Sequence, residues 1–530
     1  MKSIKKFLAV ILSMTLMLTL GTAVFGAQKT LPSGKDTGSI NVTNLKPGDT
    51  VTAYQFVKAD YNEYGFTGYS AINNYVKDPV APTAQEVIDM ASSAATMTVA
   101  AEKKVATGDT EVTLNGLPVG YYLVMVTSGS ETVYSPMIAG IYYSKSATDN
   151  TLTNGAISAD SDFEIKAQKC WAKSSTPKLT PSSKNSKGDD IAIGDKITFN
   201  LSATVPSYSK EYKKVTYKIY DIMSEGLDYV DGSMKCFIEK YENNRENIKV
   251  TPKVNGGIIE ITFDSKFILE HPGQKIQVEY QAKLNEKAGV NFDANINKAY
   301  LEYSNNPASG STAKTGEDKV YVYTFGTDSN LFGKSTEKWN EKTKELIKVE
   351  EGEFQWVETE KESGIFTTTT ALEGATFTLT NNKTKKSYTA TSDKYGYLKF
   401  TGIDAGEYTL QETDAPDGFT LNDAKHTVVI TAEYNQDGTL KSYTIKIDDK
   451  ATSTYTATYD KGVIKTITST KDSQGNISES AILKNSKMSF LPSTGGVGTT
   501  IFAIVGVVFV AAALGLHMIL RGKSKLEQDR

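Results

Sequence analysis

Lys196-Ile-Thr-Phe-Asn-Leu-Ser-Ala-Thr-Val205 decides the fold. Apolar and polar residues alternate along it, so Ile197, Phe199, Leu201, Ala203 and Val205 share one face. A period of two belongs to a half-buried strand and not to a helix. Val215, Tyr217 and Ile219 repeat the pattern in the next segment. Clusters such as Asn255-Gly256-Gly257 and Asn305-Asn306-Pro307 break such runs, as turns between strands do. The chain is rich in Thr, Tyr, Val, Gly and Asn, a composition that suits strands and turns. Many short strands separated by turns predict β-sandwiches. One segment departs: Ala84 to Ala95 spells a short helix with Val87, Ile88 and Ala91 on one side, expected to pack on the first sandwich.

The two ends of the 530-residue chain differ from its middle. Lys2, Lys5 and Lys6 precede an apolar run, Phe7 to Leu20, that ends in small residues near Gly26-Ala27. This is the layout of a secretory signal peptide. At the other end, Leu491-Pro492-Ser493-Thr494-Gly495 precedes an apolar run from Val497 to Leu520 and the basic residues Arg521, Lys523 and Lys525. Such a run is long enough to span a bilayer, and its basic flank stays cytoplasmic. The stretch between is too long for one core. The expected division is a signal peptide over 1–27, sandwiches over 28–167, 168–322 and 323–490, and a C-terminal region over 491–530. The fold class is all-β: three tandem Ig-like sandwiches with a C-terminal transmembrane helix.

A formal net charge of -4 gives no field suited to nucleic acid. Cys170 and Cys236 are the two cysteines; one bridge does not make a disulfide scaffold, and their pairing is left open. His271, His426 and His517 have no metal-ligand spacing, and no nucleophile elbow or phosphate loop accompanies them. No metal, cofactor or turnover chemistry is expected.

An internal repeat ties the first and third domains together. Gly116-Leu-Pro-Val-Gly120-Tyr-Tyr122-Leu-Val124-Met-Val126 aligns with Gly402-Ile-Asp-Ala-Gly406-Glu-Tyr408-Thr-Leu410-Gln-Glu412. Tyr408, Leu410 and Glu412 share a strand face, as do Ala481, Leu483 and Asn485. A carboxylate on an apolar face is costly unless paired or protonated. In the second domain Asp221 continues the Val215/Tyr217/Ile219 face, and Asn297 shares one with Ala299, Leu301 and Tyr303. The register that sets Glu412 in the third domain sets Val126 in the first, so the first lacks the acid.

Several of these strings resemble a known family. Leu491, Pro492, Ser493, Thr494 and Gly495, with the run and tail behind them, resemble the LPxTG cell-wall sorting signal read by sortases of Gram-positive bacteria. Tyr408 to Phe419 (YTLQETDAPDGF) resembles the E-box of collagen-adhesin B-type pilin domains. YDIMSEGLDYV from Tyr220 and NKAYLEYSNNP from Asn297 resemble the fimbrial isopeptide domain type. The chain as a whole resembles sortase-assembled major (backbone) pilins.

The resemblance implies a structural role. Sortase would cut between Thr494 and Gly495 through a thioacyl enzyme. It would then join Thr494 to a lysine of another copy, or to peptidoglycan. Lys173, in Trp171-Ala-Lys173-Ser at the first domain junction, is the implied linking lysine, with Lys169 and Lys166 as alternatives. The family's Tyr-Pro-Lys-Asn wording is absent there. Internal Lys–Asn isopeptide bonds are implied as well, with Glu412 and Asp221 as the acids and Asn485 and Asn297 as the amides. Burial that makes a lysine nucleophilic also protonates the acid. For the third domain the lysine is Lys348, then Lys361, then Lys334. In the second, Pro181 and Ser182 stand where relatives carry a lysine pair, which leaves Lys178 or Lys184. The implied partners are pilin-type and housekeeping sortases, other copies, minor pilins and peptidoglycan, on an exported, wall-anchored pilus. The alternative is a wall-anchored adhesin or minor pilin that binds a host surface ligand. Leu31-Pro32-Ser33-Gly34 lacks the Thr and precedes no apolar run, and reads as a loop.

Overall fold

The computed structural model describes residues 31–470 and 483–487, apart from 146–150, 159–160, 185, 242–243, 327–336, 341–344, 349–356, 360–361, 364–365, 368–371, 394–397 and 449–453. The signal peptide, Lys334, Lys361, the Leu491–Gly495 pentapeptide and the apolar run behind it lie outside the described residues. No helix among the described residues is long and apolar enough to cross a membrane.

The chain folds as an all-β protein. The decisive stretch forms the strand Lys196–Thr204, with Ile197, Phe199, Leu201 and Ala203 buried. It pairs on one side with Leu179–Ser183 and on the other with Lys275–Leu284. The facing sheet of this second sandwich centres on Tyr217–Met223, flanked by Asn295–Asn306 and Ile258–Thr262. Apolar residues of both sheets interdigitate in one core that includes Phe199, Tyr217, Ile259, Val278 and Leu301, as strand alternation requires. The short helix Ser265–Glu270, capped by Asp264, was not expected from the sequence.

The first sandwich pairs a three-stranded sheet, with Thr37–Thr43 at its centre, against a six-stranded sheet built on Thr50–Asn62 and Gly120–Thr127. The expected helix is present as Ala84–Ser92. Thr83 and Glu86 cap each other's backbone, and Val87, Ile88, Met90 and Ala91 are buried. Val87, Met90 and Ala91 pack on Phe56 and Leu123 of the first sandwich.

The third sandwich sets a seven-stranded sheet containing Thr376–Asn381, Gly406–Asp414 and Lys425–Tyr434 against the small sheet Val357–Thr359, Leu483–Lys487 and Phe419–Thr420. The repeat is real in three dimensions. Gly116 and Gly402 both take positive φ, 71° and 73°, and the next two strands begin at Gly120 and Gly406. Tyr122 Oη donates to the Pro118 carbonyl at 2.5 Å, and Tyr408 Oη to the Asp404 carbonyl at 2.8 Å. Each tyrosine thus bonds back four residues and pins the entry to its own strand, the tyrosine corner of sandwich folds.

The sandwiches are joined by specific contacts. Tyr303 Oη donates to the Glu131 carbonyl at 2.6 Å between the first and second. Between the second and third, Ile193 N donates to the Gly402 carbonyl at 2.8 Å. The Asp190 carboxylate there accepts from Ala405 N and Tyr434 Oη, each at 2.7 Å. A Cβ at Gly402 would meet Ile193 Cδ1 at 2.5 Å, so the close approach needs glycine there.

Candidate functional site

Two acid–amide pairs lie in the cores of the second and third sandwiches. In the second, Asp221 and Asn297 are completely buried, on neighbouring strands. Asp221 pairs with Ala299, so Asn297 lies two residues along the same face. Asn297 Nδ2 donates to Asp221 Oδ2 at 3.1 Å and to Tyr280 Oη at 2.8 Å. Tyr280 Oη in turn donates to Asp221 Oδ1 at 2.8 Å from the opposite sheet. Burial raises the Asp221 carboxyl to about 7, against the opposing effect of the two hydrogen bonds. Asn297 Oδ1 is buried with no donor.

Tyr280 was missed in the sequence. Its signal was there: Ile276, Val278, Tyr280, Ala282 and Leu284 alternate inward along one strand. A hydroxyl on that face must find a polar partner in the core.

The strand Leu179–Ser183 turns Leu179, Pro181 and Ser183 inward. Lys178 and Lys184 lie just beyond its two ends and are exposed. Lys184 has φ 40° and pairs with Asp189 at 3.2 Å. The structure therefore keeps both lysines at the surface, away from the buried Asn297. No lysine of the second sandwich whose burial is described is buried. Ser183 Oγ is buried without a partner.

In the third sandwich Glu412 and Asn485 are each 2% exposed. Asn485 Nδ2 donates to Glu412 Oε1 at 2.6 Å, and Asn422 N to Oε2 at 2.7 Å. Asn485 Oδ1 has no donor among the described residues. A half-turn of the amide exchanges its two terminal atoms.

Val357–Thr359 runs parallel beside the Asn485 strand, with Thr359 opposite Asn485. Lys348 lies in a different strand, Glu345–Lys348, paired with Glu337–Asn340. In the first sandwich Val126 is buried at the register of Glu412. It pairs with Val51 as Glu412 pairs with Phe377.

The junction of the first two sandwiches carries a third feature. Lys169, Trp171 and Lys173 are exposed, while Cys170 and Ala172 between them are buried. Cys170–Trp171 lies parallel beside Val42–Thr43, at the edge of its sheet. Ala172 N donates to the Thr43 carbonyl at 2.9 Å, and the Lys173 carbonyl accepts from Ser135 N at 3.0 Å. Lys166 is largely covered, its side chain 11% exposed and paired with Glu164 at 3.3 Å. Cys170 and Cys236 are both free and buried, in different sandwiches. Burial pushes both thiols up to about 12.

Comparison with known proteins gives three local matches. Residues 35–174 match a T6 antigen Ig-like domain, 355–461 a prealbumin-like fold domain, and 484–525 the LPXTG cell wall anchor motif. The anchor match makes the chain a wall-anchored surface protein. The chain is 26% identical to the trypsin-resistant surface T6 protein of Streptococcus pyogenes serotype M6, over 93% of this chain and 96% of the relative. The solved T6 backbone pilin of serotype M6 Streptococcus pyogenes, described as a modular three-domain structure, matches with a TM-score of 0.57 at 21% identity. That match covers 86% of this chain and 100% of the pilin. These relatives are structural surface subunits and not enzymes.

Proposed function

We propose that the chain is the backbone subunit of a covalently polymerised surface pilus. The observation that carries this is the strip at Lys173, an exposed lysine whose backbone is held by Thr43 and Ser135 of the first sandwich near its junction with the second, in a chain whose other end carries the anchor motif. In the polymerising step a pilin-type sortase thiolate holds Thr494 as a thioester. The neutral Lys173 amine attacks the Thr494 carbonyl carbon, the C–S bond breaks, an amide forms and the amine proton is lost. A housekeeping sortase makes the same exchange with a peptidoglycan amine at the base. Lys169 is the alternative acceptor, and Lys166 is disfavoured by its cover and its ion pair.

The third sandwich is the one that seals itself. The Glu412–Asn485 pair supplies the acid and the acylating amide. We take Lys361, two residues after Thr359 in the sequence, ahead of Lys348; the pairing of Val357–Thr359 with the Asn485 strand supports this choice. The prealbumin-like match begins at residue 355, which includes Lys361 and leaves Lys348 out. The Lys361 amine attacks Asn485 Cγ, the bond from Cγ to Nδ2 breaks and ammonia leaves. In the second sandwich Asp221, Tyr280 and Asn297 form a hydrogen-bonded core with no amine beside it. Resistance to trypsin, printed in the name of the T6 relative, is expected here too, despite 58 Lys and Arg residues.

Co-expression with a pilin-type sortase, followed by boiling in detergent, tests the polymer. A ladder that disappears in Lys173→Ala supports the reading. A ladder that survives Lys173→Ala and fails in Lys169→Ala moves the joint to Lys169, four residues back along the strip. No ladder from the unaltered chain would favour a monomeric wall-anchored adhesin or minor pilin that binds a host ligand.

A further inference from the structure

Trp171 is 69% exposed. Its neighbours on either side, Cys170 and Ala172, are 5% and 0% exposed. The backbone there is fixed by Thr43 on one flank and Ser135 on the other. A large indole on a rigid outer strand is costly to leave in water, and its usual use is as an anchor for a partner.

We propose that Trp171 seats the Leu491-Pro492 segment of the incoming subunit while Thr494 is transferred to Lys173. This rests on Lys173 being the acceptor. The reach of the chain argues for this occupant. Exposure alternates from Lys169 to Lys173, which puts Trp171 and Lys173 on one side of an extended strip, roughly 7 Å apart by the rise per residue. Once Thr494 is bonded to that amine, Pro492 is two residues away, within about 7 Å of the joint in extended chain. The Leu491 and Pro492 side chains are apolar. A proline ring on an indole face is a favourable apolar contact of the kind that aromatic-lined peptide grooves use.

Trp171 is thus a positioning residue on the acceptor and has no part in loading the donor. The test uses the full chain with a pilin-type sortase. Trp171→Ala should slow formation of linked dimer by about tenfold, the loss of one aromatic contact, and Trp171→Tyr should recover most of it. Release of sortase-bound Trp171→Ala chain by hydroxylamine should run at the unaltered rate, because that reaction needs only the donor end. In purified linked dimer, oxidative footprinting should show the acceptor's Trp171 protected relative to monomer. Unchanged dimer formation in Trp171→Ala overturns the proposal. So does a slowed reaction with Trp171 equally oxidised in dimer and monomer, which would place its contact on the sortase. Loss of the ladder in Lys173→Ala is read separately and reports on the acceptor alone.

Discussion

The second and third sandwiches each bury a carboxyl against an asparagine, and they differ in what stands next to the pair. In the third, the strand Val357–Thr359 lies beside Asn485 and leads to Lys361. In the second, the first strand presents Leu179, Pro181 and Ser183 to the core, and its flanking lysines are at the surface. An acid and an amide are only half of a cross-linking site; the amine is the other half, and the inward positions of the second sandwich's first strand hold none. Tyr280 also changes the chemistry of the second pair. Its hydroxyl donates to Asp221 and accepts from Asn297.

The largest effect is expected where the comparison is sharpest. Glu412→Ala should abolish the ammonia loss of the third sandwich and make it trypsin-sensitive. A cross-link closing so long a loop contributes on the order of 4–5 kcal/mol, by analogy with disulfides. Denaturant unfolding, with mass spectrometry of the same sample, measures both. A Glu412→Ala chain that keeps the deficit would remove the acid from the account.

The converse change should build what the second sandwich lacks. Pro181→Lys and Ser183→Lys each place an amine on the inward face of the first strand. At least one should acquire a further ammonia deficit, and adding Asn297→Ala should remove it. If neither variant gains the deficit, Asp221 and Asn297 are a structural pair and not a site short of its nucleophile.

The pH dependence follows from Asp221. Its folded carboxyl is raised to about 7 from 3.8. The folded chain therefore binds more protons than the unfolded chain between those values, and stability falls as pH rises through that window. The effect is at most about 4 kcal/mol. The second sandwich should melt higher near pH 5 than near pH 8, and Asp221→Asn should flatten that difference. A profile that rises with pH would mean that Asp221 is ionised in the core.

Tyr280→Phe should have the smallest effect, about 1–3 kcal/mol, because it strips one donor from Asp221 and one acceptor from Asn297. Thermal melting of the full chain measures it. No change in the mass deficit is expected.

Much of this was legible in the sequence where the signal is local. The alternation in Lys196–Thr204 gave the strand and its buried face. The repeat marked the first and third domains as alike; that its Gly and Tyr build a tyrosine corner in both copies emerged only from the structure. The inward faces of Asp221, Asn297, Glu412 and Asn485 followed from period two alone. What was not legible depends on pairing between distant segments. Val357–Thr359 and Leu483–Asn485 meet from far apart in the chain, so no local pattern separates Lys361 from Lys348. Lys169, Trp171 and Lys173 share an outer face because Val42–Thr43 fixes the register of that strip. Tyr280 reaches Asp221 from the opposite sheet, which strand periodicity does not specify.

The intact mass of the folded, processed chain tests the central contrast most directly. The account predicts a mass lighter than the sequence by one ammonia, with the cross-linked peptide joining Lys361 to Asn485. A deficit of two ammonias, or of none, would contradict it.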